Sequence, residues 1–214
     1  MTTVIGAGEF YAVASADEWR LTFEGALAHY PCPDARRRVE FAARVVELAP
    51  EGYGPDLELR AAGVTVRLPS SWDAGGLPEA AAGLAASVSG VAAQLGLAGD
   101  VSHLQSIQIA IDGGMESVPF WQAVTGYEQV ADADIIDPLR RAPGVWNQAV
   151  NDGRAAPARI HVDLSTSAAE VARRIEAAVQ AGGRLVDDSH APHWFTLADP
   201  SGNLVDLAAW PDLP

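Results

Sequence analysis

The chain contains one cysteine and no lysine among its 214 residues. With Cys32 alone, an intramolecular disulfide is impossible and a cysteine-based metal cluster is excluded. Cys32 sits in YPCPD, between two prolines, and reads as an ordinary loop residue rather than a nucleophile. Because all 14 basic residues are arginine, Schiff-base chemistry and a phosphate loop built on lysine are also excluded. No apolar run approaches the roughly 18 residues that suggest a membrane span. The start, MTTVIGAGEFYAVASADEW, has no basic flank followed by an apolar stretch. Neither a secretory signal nor a lipidation motif is therefore expected, and the expected location is cytoplasmic. Positive charge is scarce as well: the formal net charge is −14, spread over both halves. That argues against a nucleic-acid partner, since phosphate binding needs a basic surface.

What is present has the balance of a globular protein, 49% hydrophobic and 20% charged. A seam lies near GLAGDVSH, where glycine, aspartate and serine interrupt an alanine-rich helical run. It divides the chain into an expected domain at 1–100 and a second at 101–214. In the first, the pattern predicts helices over Asp17–His29, Asp34–Leu48 and Pro78–Leu95, with strands at Leu57–Arg60 and Val64–Leu68. The middle helix rests on Val39, Ala42, Ala43 and Val46 at three- and four-residue steps, with Asp34 as N-cap. The strands rest on alternation in LELR and VTVRL, joined by a short hairpin connection. Gly96 is expected to stop the third helix.

After the seam the grammar becomes strand, helix, then several strands, and it occurs twice. The first round opens with SIQIAID, continues with a helix over Met115–Val124, and has strands near Tyr127–Val130, Asp134–Ile136 and Val145–Ala149. The second opens with RIHVDL, continues with a helix over Ser167–Ala181, and closes with strands near Arg184–Val186, Trp194–Leu197 and Leu204–Ala208. Two successive units of one type point to an internal duplication. The expected fold class is thus α+β: an N-terminal antiparallel sheet with helices, then paired βαβββ modules.

Three stretches carry a resemblance. LADPSGNLVDLAAW, Leu197 to Trp210, supplies turn chemistry between two alternating apolar runs. FWQAVTGYE ends the first helix, and RIHVDL opens the second unit. Together they resemble a glyoxalase-like domain of the vicinal oxygen chelate type, whose two modules pair into a cupped half-barrel around one site. In metal-bearing members, the resemblance implies four inward ligands, a histidine and an acid from each module. Here the first histidine falls on Ser106, or on Gln108 if the register slips by two. The first acid aligns with Gln148, the second histidine is retained as His161, and the final acid is shortened to Asp206. One histidine, one aspartate and one glutamine make a poor cage. No metal and no other cofactor is expected, with a divalent ion on Gln148, His161, Asp206 and waters as the alternative.

His161 shares its strand parity with Asp163, and Asp206 shares a face with Leu204 and Ala208. An inward carboxylate among apolar neighbours needs a partner or a raised pKa. His161 is the expected partner, which makes general acid–base chemistry without metal available. Catalytic expectations are therefore His161, Asp206 and Gln148. Ligand-contact expectations are Ser106, Gln108, Trp146, His193 and Trp194. Trp146 shares parity with Gln148, and His193 and Trp194 lie in DSHAPHWF at a turn expected on the cup rim.

The first half carries a second resemblance. FAARVVELAPEGYGPDLELRAAGVTVRLPSSWDAGGL is similar to pterin-4a-carbinolamine dehydratase, which implies histidines after the long helix and before Gly-Gly-Leu. Tyr53 and Gly54 occupy the histidine pair and Trp72 the third position. Neither glycine nor tryptophan transfers a proton near pH 7, and tyrosine titrates near 10. This half is expected to be a retained scaffold, a candidate for pairing copies into a homodimer or walling the neighbouring cup. The whole is expected to bind a small organic molecule and act as a lyase, isomerase or hydrolase. The competing expectation is a binding or self-resistance protein without turnover, and residual pterin dehydratase activity is a third.

Overall fold

The computed structural model describes residues 3–71, 75–112, 115, 118–130, 133–148, 160–198, 204–209, 212 and 213. Its contacts divide the chain into two compact units, Met1–Leu104 with Pro211–Pro214, and Gln105–Trp210. Among the described residues no helix is long and apolar enough to cross a membrane.

In the first unit the order is β1 (Val4–Ile5), α1 (Ala7–Tyr11), β2 (Trp19–Thr22), β3 (Gly25–Pro31), α2 (Ala35–Glu47), β4 (Asp56–Arg60), β5 (Gly63–Pro69), β6 (Leu77–Pro78) and α3 (Ala80–Gln94). Strands pair in the order β2-β3-β5-β4, antiparallel throughout. The helix expected over Asp17–His29 is instead the β2–β3 hairpin. Its apolar residues serve a period of two as readily as a helical one: Trp19 and Leu21, then Ala26, Ala28 and Tyr30, all face the core. Gly25 decides between them, because its φ of +124° lies outside the helical region, and β5 then saturates the far edge of β3.

The helix expected over Asp34–Leu48 forms as α2, capped by the Asp34 carboxylate, which accepts from the backbone N–H of Arg36 (2.9 Å) and Arg37 (3.3 Å). Its buried face differs from expectation. Phe41 and Val45 are the core residues, whereas Val39 and Val46 are exposed. The aromatic Phe41 packs edge-on against Tyr30 at 5.0 Å, and fully burying such a side chain is worth about 1.5–3 kcal/mol. Helix α3 turns Leu84, Ala85, Val88 and Ala92 into the same core. It ends where the N–H of Leu97 bonds Ala92 O and that of Gly96 bonds Ala93 O, with Gly96 at φ +66°.

In the second unit the order is β7 (Gln105–Asp112), α4 (Val118–Thr125), β8 (Glu128–Val130), β9 (Asp134–Ile136), β10 (Gly144–Gln148), β11 (Ile160–Thr166), α5 (Ala168–Gln180), β12 (Arg184–Asp187), β13 (Trp194–Ala198) and β14 (Leu204–Ala208). These strands form one sheet in the order β12-β13-β14-β11-β7-β10-β9-β8. Each module repeats one wiring. The first strand pairs in parallel with the fourth, β7 with β10 and β11 with β14, and the remaining two continue antiparallel outward. The modules join through antiparallel β7 and β11 at the centre. Alternation then separates two faces. Ile109 and Ile111 of β7, Val145 of β10 and Ile135 of β9 pack with Val118 and Trp121 of α4. Residues of opposite parity point the other way, and that second face is polar.

Candidate functional site

The polar face is built by register. Thr196, Asp206, Asp163, Gln108 and Gly144 stand in one row across β13, β14, β11, β7 and β10. A second row holds His161, Ala110, Trp146 and Asp134, and a third holds Trp194, Ala208, Ser165 and Ser106. Paired residues in a sheet share a face, so these rows project together. Ser106, Gln108, His161, Asp163, Ser165 and Asp206 are all buried, His161 to 3% exposure.

At the centre, His161 Nε2 lies 3.2 Å from Asp163 Oδ1 and 3.4 Å from Asp206 Oδ2. Both contacts exceed the roughly 2.7–2.9 Å of a charge-assisted hydrogen bond, so they act as ion pairs at close range. Asp206 is steadied from the other side by the Thr196 hydroxyl, which donates to its Oδ1 at 2.5 Å. The Asp163 carboxylate, and after it Asp206, hold the imidazolium in place and push the His161 pKa up to about 9, against burial, which pulls it down. Strands β7, β10, β11 and β14 carry no arginine, so His161 is the one basic side chain on them.

Several groups on this face are unsatisfied. Among the described residues, Ser106 Oγ, Gln108 Oε1, His161 Nδ1, Asp163 Oδ1 and Ser165 Oγ are buried without a hydrogen-bond partner. Buried polar atoms ordinarily find partners, and each one left alone costs about 1–3 kcal/mol. Asp163 Oδ1 still has its ion pair with His161, and the other four, on one face of one sheet, mark a place prepared for something polar.

The expected site residues fall as follows. His161 and Asp206 come together, and Ser106 and Gln108 share their face. Trp146 and Trp194 are half-buried on that face, one in each module. Gln148 pairs with Asp112 at the end of β10, and its side chain lies outside the described residues. His193 is exposed in the turn before β13, while His190 stacks on the Trp194 indole at 4.0 Å. Asp163 was absent from the expected site. Its signal was the parity it shares with His161, but parity alone could not bring it within reach of the imidazole.

The four-ligand cage of metal-bearing relatives is not reproduced. At its first-module positions stand a hydroxyl and an amide, and three candidate ligands, His161, Asp163 and Asp206, have donor atoms within 4.8 Å of one another on the second module alone. A metal-bound histidine normally donates its other ring nitrogen to an acceptor, and His161 Nδ1 has none among the described residues. The described residues therefore do not reproduce the four-ligand arrangement that the resemblance implies.

In the first unit, Tyr53 donates its hydroxyl proton to Pro69 O at 3.0 Å, and burial, then Asp56, raises its pKa above the usual phenol value. It borders a cavity of about 470 Å³ whose titratable lining is Glu51, Glu79 and Tyr53 itself. Trp72 lies outside the described residues.

Residues 108–208 match the model of the glyoxalase-like domain family. Over those residues the second unit is similar to a glyoxalase-like domain. A crystal structure of a glyoxalase/bleomycin resistance protein/dioxygenase superfamily member from Vibrio splendidus 12B01 is similar over 50% of this chain and 99% of its own, at 14% identity and a TM-score of 0.33. A likeness that distant transfers no chemistry. None of the curated protein sequences matches the chain.

Proposed function

We propose that the glyoxalase-like unit binds a small organic molecule against its polar face and performs a lyase, isomerase or hydrolase step on it by proton transfer, without a tightly held metal. One observation carries this reading. His161 has its Nε2 between two carboxylates and its Nδ1 buried and without a hydrogen-bond partner among the described residues. The carboxylates orient the ring and keep it charged, and Nδ1–H is the edge left to address a ligand. With a pKa near 9 the ring is overwhelmingly imidazolium at pH 7, so its role is general acid or electrostatic clamp on a developing negative oxygen. Asp206 orients through Nε2, and Gln148, at the end of β10, is the proposed hydrogen-bonding contact. Trp146 and Trp194 supply flat apolar surface to a ligand.

The first unit is proposed to be a scaffold retained from a dehydratase-like ancestor. Tyr53 engages a backbone carbonyl where a transferable proton would be needed. Pterin dehydration by this unit is accordingly not proposed.

The test is His161→Ala and His161→Gln, screened with wild type against a metabolite panel by thermal shift, then by mass spectrometry for conversion. Turnover lost with affinity retained supports the acid. Unchanged binding with no conversion in any form supports a binding or self-resistance protein instead.

A further inference from the structure

Four buried oxygen-bearing side chains on this face form a group of their own. Asp163 faces Gln108 across β11 and β7, and Ser165 faces Ser106 one step along the same ladder. Directly opposed residues have Cβ atoms about 5 Å apart, and each pair is separated from the next by about 7 Å along the strand. The four side chains thus form a square on one face, and each is at least nine-tenths buried. Ser106 Oγ, Gln108 Oε1 and Ser165 Oγ are buried without a hydrogen-bond partner among the described residues, and Asp163 Oδ1 is engaged by the ion pair with His161 Nε2 at 3.2 Å.

The charge of this square is one-sided. All four oxygens can accept a hydrogen bond, the two hydroxyls and the Gln108 amide can also donate, and the one charged group among them is a carboxylate. The square adjoins Asp206 and His161, so two carboxylates face one imidazole in a region whose strands hold no arginine. The balance is negative whether or not the imidazole carries its proton. An anionic ligand group would meet repulsion from both carboxylates there. A primary ammonium presents three N–H donors and one positive charge, which suits a group of acceptor oxygens in a region of negative balance. A hard metal cation is the other all-oxygen guest, but Ca²⁺ takes six to eight oxygens and Mg²⁺ an octahedron, more than this square offers. The half-buried indoles of Trp146 and Trp194 on the same face suit an organic guest and are of no use to a bare ion.

We propose that Ser106, Gln108, Asp163 and Ser165 form a recognition site for the primary ammonium group of an amine-bearing small molecule. This rests on the reading of the polar face as a ligand site and names the class of ligand.

The experiment uses the full chain with ethanolamine and 3-amino-1-propanol as probes, 1-propanol as the neutral control, propionate as the anionic control, and K⁺ and Ca²⁺ as inorganic cations. Binding is followed by thermal shift and calorimetry in wild type, Asp163→Asn and Ser165→Ala. The amines are expected to bind wild type and to weaken at least tenfold in Asp163→Asn. They should weaken severalfold in Ser165→Ala, a variant whose apo form is at least as stable as wild type because it deletes an unsatisfied buried hydroxyl. Amine binding that is equal in all three proteins, or equal to that of propanol or propionate, overturns the assignment. So does a response to K⁺ or Ca²⁺ with the amines inert, and so does no response to any probe. If a neutral or anionic metabolite binds and its conversion needs His161, the ammonium site fails and the proposed function stands. If amines bind as expected but nothing is converted, the site stands and the catalytic reading fails.

Discussion

Replacing His161 by glutamine keeps the volume and removes the charge from between two buried carboxylates. In wild type the imidazolium is held by Asp163 and Asp206 with a pKa near 9, against 6.5 for the free side chain. A rise of that size corresponds to about 3 kcal/mol in favour of the folded, protonated form. The sign follows from the direction. Below pH 6.5 folded and unfolded states are both protonated and the full contribution is present. Between 6.5 and 9 the unfolded chain loses its proton while the folded one retains it, so the contribution decays, and it is gone above 9. For a unit of about 100 residues each kcal/mol moves the midpoint by about 4 °C or more. Calorimetry, which separates the transitions of two units, should place His161→Gln about 12 °C below wild type at pH 6. The gap should shrink to a few degrees at pH 9.5. A gap that stays constant, or widens with pH, refutes the claim that the two carboxylates hold a charged imidazole.

Two further substitutions test the scaffold and the support of the site. Gly25→Ala sets a Cβ 2.1 Å from Leu68 O at a φ of +124°, and is expected to cost at least about 2 kcal/mol; an unchanged denaturation midpoint of the first unit would contradict the hairpin. Thr196→Val removes the hydroxyl that donates to Asp206 and should destabilise the second unit by about 1–3 kcal/mol. It should also weaken any ligand that depends on the His161 cluster, measured by calorimetry beside wild type.

Much of the second unit was legible because its signals are local. The strands Asp134–Ile136 and Leu204–Ala208 were expected at the observed bounds, and the glycines after α4 and α5, Gly126 and Gly182, adopt positive φ as helix terminators. The first unit was less legible where one pattern served two structures. Trp19, Leu21, Ala26 and Ala28 fit a helix or a hairpin, and only a distant strand, β5, gives β3 a ladder to join. The buried face of α2 was misjudged for a similar reason. Val39 and Val46 recur at helical spacing, yet Phe41 and Val45 offer the better fit to Tyr30 and the sheet behind it.

The sequence by itself determined the periodicities, the turns, the duplicated strand-helix-strand order and the parity of His161 with Asp163, because each depends on neighbours a few residues away. Tertiary structure alone decided that Asp163 faces both Asp206 and Gln108, that Thr196 steadies Asp206, and that Ser106, Gln108 and Ser165 bury oxygens without hydrogen-bond partners among the described residues. Those facts depend on register between strands far apart in the chain. A shift of one residue there would turn every side chain to the opposite face.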